Sequence, residues 1–260
     1  MNFSRVKTYS PVSYKLNLRY VEDISQAMPL NQKDVLLDVG CGPGTLALLL
    51  SKRVGKVKAV DNSPEMIEEA KEISKAENIT YKVGDATKLS TYEEYRNSFD
   101  KVVAHCTLHW MKDFKTALEG IYQSLKPGGQ CFMNMAHQNP HIINTTQLLN
   151  CYTSPKWETF MKGYEHAYYT FEGTDDDYKQ MLAGIGFKDI DCKQTAIKIP
   201  LKYDEAKEFY PNSMGQLERF PEDCREEYME EAVKYALDTD YKDNQDHFIS
   251  CSLIYAIAGK

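Results

Sequence analysis

Three aspartates stand at the ends of short apolar runs: Asp38 within Val35–Val39, Asp61 after Val57–Val60, and Asp85 after Ile79–Val83 and Gly84. Asp38 leads into a glycine-rich turn, Gly40-Cys41-Gly42-Pro43-Gly44. Glycines let the backbone turn tightly and approach a ligand closely. A helix opening after such a turn offers N–H groups to an anion such as a carboxylate. Asp38, in contrast, can accept from a ligand ammonium, directly or through water. A site for both groups suits an amino-acid moiety. An acid at the end of the second strand, where Asp61 falls, can hold both hydroxyls of a ribose. Asp85, just before Ala86, can accept from the amino group of adenine. Amino acid, ribose and adenine together compose S-adenosylmethionine. The glycine spacing is G-x-G-x-G, not the G-x-G-x-x-G of dinucleotide folds, and Pro43 stands where a pyrophosphate would need N–H donors. A nicotinamide-dependent oxidoreductase is therefore disfavoured.

The elements that must position these residues alternate. After the run Val35–Val39, Thr45–Arg53 reads as a helix, Val57–Val60 as a second strand, and Ser63-Pro64-Glu65 as the start of a helix reaching about Ala76. Ile79–Val83 and Phe99–Ala104 read as strands, Asp113–Leu125 as a helix closed by Lys126-Pro127-Gly128-Gly129, and Gln130–Met135 as a fifth strand. Such alternation implies βαβ units and a parallel sheet. Right-handed crossovers bring Asp38, Asp61, Asp85 and His105 to one sheet edge, where ligands of open α/β sheets bind. Residues 139–186 are mostly helical in pattern and rich in aromatics, Phe187–Cys192 reads as a sixth strand, 203–240 as helical, and Phe248–Ala258 as a long last strand. The expected fold is α/β: a doubly wound, Rossmann-like seven-stranded sheet, mostly parallel with the last strand antiparallel, carrying helical cap insertions. One domain over 1–260 is expected, with a cofactor-binding half at 30–136 and cap or substrate insertions at 139–186 and 203–245.

Composition narrows the partners. The chain has 260 residues, and 31 basic against 38 acidic side chains leave a net charge of −7. That balance argues against a duplex-binding protein, which needs a basic face. The longest aliphatic run, Leu46–Leu50, is far short of the ~20 residues that span a bilayer. No apolar stretch follows the basic residues at the N-terminus, so no signal peptide is read. The seven cysteines are scattered and form no C-x-x-C, which suits reduced thiols in a cytoplasmic protein and gives no metal site. No nucleic-acid or membrane partner is expected, and a homodimer is left open.

Asp38–Gly44, Asp61-Asn62-Ser63-Pro64-Glu65-Met66, Gly84-Asp85 and Leu125-Lys126-Pro127-Gly128-Gly129 together resemble the class I S-adenosylmethionine-dependent methyltransferases, over residues about 34–135. The resemblance implies cofactor contacts from Asp38, Gly40, Gly42, Gly44, Asp61, Asn62, Met66, Asp85, Ala86, Ala104 and His105. Further segments are similar to juvenile hormone acid O-methyltransferases: Leu108-His109-Trp110, Pro155-Lys156-Trp157, Gly184-Ile185-Gly186-Phe187 and Leu217–Asp223. Trans-aconitate methyltransferases resemble the same core, less closely in the cap. The closer family implies esterification of a hydrophobic small acid of the farnesoic acid or juvenile hormone acid type. It also implies that Trp110 donates its indole N–H to the substrate carboxylate, together with a glutamine in the N-terminal segment. This chain has no glutamine between Thr8 and Ser25; Tyr14, Lys15 and Asn17 are the substitutes, with Tyr14 preferred.

A carboxylate is already a nucleophile at neutral pH, so no catalytic base is required. Trp110, Tyr14 and His109 are the candidate catalytic residues, and His109 would instead be the base if the acceptor were a phenol or an amine. An arsenite acceptor would need several converging thiols, which the scattered cysteines do not suggest. The aromatics Tyr152, Trp157, Phe160, Tyr164, Tyr168, Tyr169 and Phe171 either wall an apolar substrate pocket or form ordinary cap core. Thr174 followed by Asp175-Asp176-Asp177 reads as a capped helix start rather than a metal site.

Overall fold

The structure is a computed structural model and describes residues 11–139, 142, 144–209, 214–240 and 247–260. Strands β1 (Val35–Val39), β2 (Lys56–Asp61), β3 (Ile79–Val83), β4 (Phe99–Ala104), β5 (Leu125–Ala136), β6 (Lys188–Leu201) and β7 (His247–Gly259) form one seven-stranded sheet in the order β3-β2-β1-β4-β5-β7-β6. The first five strands pair in parallel, and β7 runs antiparallel to both β5 and β6. This is the expected Rossmann-like arrangement, including the reversed last strand. Helices α1 (Pro11–Ala27), α2 (Thr45–Leu50), α3 (Pro64–Ile73) and α4 (Phe114–Ser124) accompany the parallel half. Helices α5 (Thr145–Cys151), α6 (Glu158–Met161) and α7 (Asp175–Ile185) lie between β5 and β6, and α8 (Tyr203–Phe209) and α9 (Glu222–Asp240) between β6 and β7.

The central strands are apolar on both faces because both faces are covered. Leu37, Val102 and Met133 pack into one apolar layer, and Leu36, Val103 and Phe132 into the other. A third cluster belongs to the cap, where Trp157, Phe220 and Tyr228 meet with ring centroids 4.0–5.7 Å apart. Helix α1 joins the two parts. Val21, Ile24 and Met28 are buried in the sheet's layer, while Leu16 packs on the cap cluster. Among the described residues no helix is long and apolar enough to cross a membrane.

Several boundaries differ from expectation, each for a local reason. Helix α2 stops at Leu50, not Arg53, because the Ser51 hydroxyl turns back to donate to the Leu48 carbonyl at 2.8 Å. Helix α3 stops at Ile73, where Ser74 donates its hydroxyl to the Pro43 carbonyl and accepts from Tyr81 at its own, both at 2.8 Å. Strand β5 begins at Leu125, and a break in register between Phe99 and Lys101 absorbs the Lys126–Gly129 segment. Strand β6 runs past Cys192 to Leu201, paired with β7 continuously from Asp191 after a break in register between Lys188 and Asp191. Its outer part alternates polar and apolar, as a half-covered edge strand does. Helix starts were better signalled: Ser63 caps α3 by accepting from the Met66 N–H at 3.2 Å. Thr174 and Asp177 form a reciprocal capping box on α7.

Candidate active site

A cavity of about 350 Å³ opens at the carboxyl ends of β1, β2 and β4, under α1 and against the cap. Its cofactor side is lined by Asp38, Gly40, Gly42, Asp61, Asn62 and Met66, with Asp85 and Ala86 beyond them. Asp38 is 1% exposed, and its Oδ2 has no hydrogen-bond partner. A buried, unpartnered carboxylate oxygen facing a cavity is costly unless a ligand satisfies it. Burial, and then the charge of Asp61, push the Asp38 carboxyl up to about 7. Asp61 is held toward the cavity by two backbone donors, Gly42 N–H on Oδ2 and Ser63 N–H on Oδ1, each at 2.9 Å. Burial raises its carboxyl, and those N–H groups oppose the rise. Asp85 spends Oδ1 on the N–H and hydroxyl of Thr87, at 2.9 and 2.7 Å, while its Oδ2 has only the distant charge of the Lys88 Nζ at 3.9 Å and can still accept from a ligand donor.

The glycine turn works by shape rather than by donation. Gly40 and Cys41 donate their N–H groups to the Val60 carbonyl at 2.8 and 3.0 Å, Gly42 donates to Asp61, and Gly44 to the Cys41 carbonyl at 3.0 Å. The N–H groups of these four residues are thus engaged within the protein, so donors to an anion would have to come from the start of α2 beyond the turn. Gly40, at φ +72°, lets Thr107 press against its α-carbon, and a Cβ at Gly42 would meet nothing within 4 Å. Gly44 does not line the cavity; it sits at φ +79° as the cap of α2, with the Tyr81 hydroxyl 2.5 Å from where a Cβ would stand.

The acceptor side follows β4. His105, Cys106, Thr107, His109 and Trp110 line it, joined by Asn17 and Tyr20 from α1 and Tyr168 from the cap. The His109 Nδ1 accepts from the Ala136 backbone N–H at 3.3 Å, so a neutral His109 carries its proton on Nε2. Its ring lies 5.4 Å from that of Trp110 and 4.9 Å from that of Tyr168, and Trp110 meets Tyr168 edge-on at 5.1 Å. Burial pushes both His105 and His109 down to about 3, so neither is charged at neutral pH.

The structure therefore brings together most of the candidate catalytic and cofactor residues and leaves three of these outside. Tyr14 is 45% exposed and does not line the cavity. The lining positions of α1 are Leu16, Asn17 and Tyr20, which face inward from the same helix. Ala104 is fully buried in β4 behind the site, and Gly44 acts through the helix start described above. Of the seven cap aromatics, Tyr168 alone lines the cavity; Tyr152, Trp157 and Phe160 pack in the cap cluster. Thr146, Cys251 and Leu253 also reach the cavity. They come from α5 and β7, far away in sequence, and carry no local motif.

The carboxylate acceptors fit S-adenosylmethionine. Asp38 offers an unpartnered acceptor for the ammonium, Asp61 faces the ribose position, and Asp85 keeps an oxygen for adenine. The sheet order, together with the likenesses that follow, supports a class I S-adenosylmethionine-dependent methyltransferase. Residues 37–133 match the family model described as a methyltransferase domain. The chain is 26% identical over 230 residues to juvenile hormone acid O-methyltransferase of Drosophila melanogaster, covering 83% of this chain and 75% of that one. It is 35% identical over 101 residues to malonyl-[acyl-carrier protein] O-methyltransferase of Priestia megaterium, covering 38% of this chain and 35% of that one. Its fold is similar to that of phosphoethanolamine N-methyltransferase 2 of Haemonchus contortus in complex with S-adenosyl-L-methionine. The TM-score is 0.60 at 20% identity, over 99% of this chain and 55% of that one. The chain thus spans little more than half of the Haemonchus enzyme.

Proposed function

We propose that this protein transfers a methyl group to the carboxylate of a hydrophobic small acid carrying a single charge, such as an acid of the farnesoic or juvenile hormone acid type, and releases its methyl ester. One observation carries the reading: among the described residues, the cavity's acceptor side holds neither a cation nor a base. Its only charged lining residues are Asp38, Asp61 and Asp85, all on the cofactor side. A di- or tricarboxylate, or a phosphate, would bring further negative charge into a buried site with no side chain to pair it. A phenol or an ammonium would need to lose a proton, and both histidines are neutral with Nδ1 already engaged. A lone carboxylate needs neither, since its ordinary pKa is about 4. The resemblance to two relatives named as O-methyltransferases agrees with this reading.

When bound, S-adenosylmethionine supplies an electrophilic methyl group on a sulfonium. The protein's part is placement. His109 can present only Nε2–H, and the tilted rings of Trp110 and Tyr168 pack beside it, so neutral donors orient the acceptor's oxygen without adding charge. Leu16 and Tyr20 of α1 and Tyr168 of the cap close the cavity against water. All seven cysteines are free thiols, which suits a reducing compartment such as the cytoplasm.

The test is a pH profile. At saturating cofactor, kcat should stay level from about pH 6 to 9, and His109→Gln, which keeps an N–H donor, should lower it less than about tenfold. A kcat that rises along a basic limb, with a loss of about 10²–10⁴ in His109→Gln, would mark His109 as a general base and replace the acid by a phenol or amine.

A further inference from the structure

The turn after β4 carries the acceptor side's histidines and tryptophan, and a side chain outside the cavity holds that turn. Asn134 of β5 is fully buried. Its Oδ1 accepts the Cys106 backbone N–H at 2.6 Å, and its Nδ2 lies 2.8 Å from Nδ1 of His105. A backbone N–H can only donate, which fixes the orientation of the amide. Nδ2 must then donate to Nδ1, so His105 carries its proton on Nε2, 3.3 Å from the Cys106 Sγ. Cys106 stands at φ +51°, a left-handed conformation that an L side chain adopts only when its surroundings over-determine it. The bond to Asn134 is that constraint. The His105 ring in turn supports Tyr20 of α1, with centroids 3.9 Å apart.

We propose that Asn134 is a positioning residue for methyl transfer: it fixes the kink at Cys106 and the tautomer of His105. Through them it places His109 and Trp110 beyond the kink and Tyr20 above it. The inference rests on methyl transfer in this cavity, not on the acceptor being an acid. The titratable groups around His105 are Tyr20 from α1, Cys106 on the same turn, His109 beyond it, and Cys251 and Tyr255 from β7. Asp23 and Arg19 of α1 act on Tyr255 and Tyr20, but the only charge interaction felt by His105 itself is that of His109; burial raises both tyrosines and both thiols, so among the described residues no carboxylate is placed to protonate His105.

Asn134→Asp would supply that charge. The new carboxylate keeps an acceptor for Cys106 but turns the second contact from donor to acceptor. Ring-nitrogen NMR of the full-length protein, with His105 assigned by its loss in His105→Gln, reads the tautomer without any substrate. In the wild type Nδ1 should be bare, Nε2 protonated, and neither should titrate between about pH 5 and 9. In Asn134→Asp, Nδ1 should be protonated throughout, and Nε2 should gain and lose its proton inside that window. Its kcat should fall about tenfold to 100-fold and become pH-dependent, while the Kd for S-adenosylmethionine stays within about threefold. A wild-type His105 protonated on Nδ1, or titrating near its ordinary value, overturns the proposal whether or not the variant folds. So does an Asn134→Asp enzyme with the wild-type kcat and pH profile. Loss of activity toward acids alone, with the spectra as described, would count against the carboxylate reading and leave this one intact.

Discussion

Asp38→Asn is expected to weaken S-adenosylmethionine binding about 100-fold while making the unliganded protein more stable. The two effects have one cause. Asp38 is buried with an oxygen that no protein group satisfies, and its carboxyl sits near 7 where 3.8 is ordinary. A group whose pKa is raised by folding stays protonated in the folded state while the unfolded chain has already ionised. Stability is therefore lost as pH climbs from about 4 to 7, and above 7 the whole penalty stands, on the order of 2–4 kcal/mol. The amide removes the charge but remains a buried polar group, so a net gain of about 2 kcal/mol, or roughly 5 °C in Tm, is expected. The gain should be largest above about pH 7 and shrink toward pH 4. Melting curves across that range, with calorimetric titration of the cofactor at pH 8, check both halves. A variant that melts lower at pH 8 would mean that the Asp38 charge is compensated within the unliganded fold.

The second large effect separates two glycines of one turn. Gly40→Ala should lower stability by about 3 kcal/mol, or about 10 °C in Tm. At φ +72° an alanine is strained, and its Cβ would stand 1.8 Å from the Thr107 hydroxyl oxygen and 2.5 Å from the Thr107 Cβ. Thr107 belongs to the acceptor-side turn, so relief of this clash displaces His109 and Trp110 and costs activity as well. Gly42→Ala meets no atom within 4 Å at φ +53°. It should cost only about 1 kcal/mol in the fold. Its methyl group would enter the cavity that Gly42 lines, so cofactor affinity is what it loses. Differential scanning calorimetry and cofactor titration on the pair read the contrast. Equal destabilisation by both would mean that strain in the turn, and not the approach of Thr107, sets the requirement.

The parallel half of the fold was legible because its strands are short apolar runs; the first three are closed by glycine or aspartate, and those three endings fall at the cavity. Asp38, Asp61 and Asp85 announced themselves by position alone. The glycine turn was readable as a site, but not its mode of action: that Val60 and Asp61 consume its N–H groups depends on the pairing of β1 with β2. The acceptor side was harder. Its members arrive from α1, α5, β7 and the cap, so only tertiary packing gathers them, and Tyr20, Thr146 and Cys251 have no spacing that marks them. On α1 the choice between Tyr14 and Asn17 turned on which side of one helix faces inward. Among the cap aromatics, composition said that they would be buried, but not that Tyr168 alone would meet the cavity. Asn134 was silent for the same reason: an asparagine inside a buried strand is explained only by the left-handed turn it faces.

On the proposed function, this cavity delivers a methyl group to an acid that arrives ionised. Incubation with methyl-labelled S-adenosylmethionine and a panel of small acceptors tests that reading most directly. The panel should hold monocarboxylic acids with apolar bodies, polycarboxylic acids, phenols and amines. Label should appear in a product of the monocarboxylic acids that mild alkali cleaves to release methanol, and polycarboxylic acids should be poor acceptors. Label lodged in an alkali-stable ether or amine, with none transferred to any monocarboxylic acid, would contradict the account.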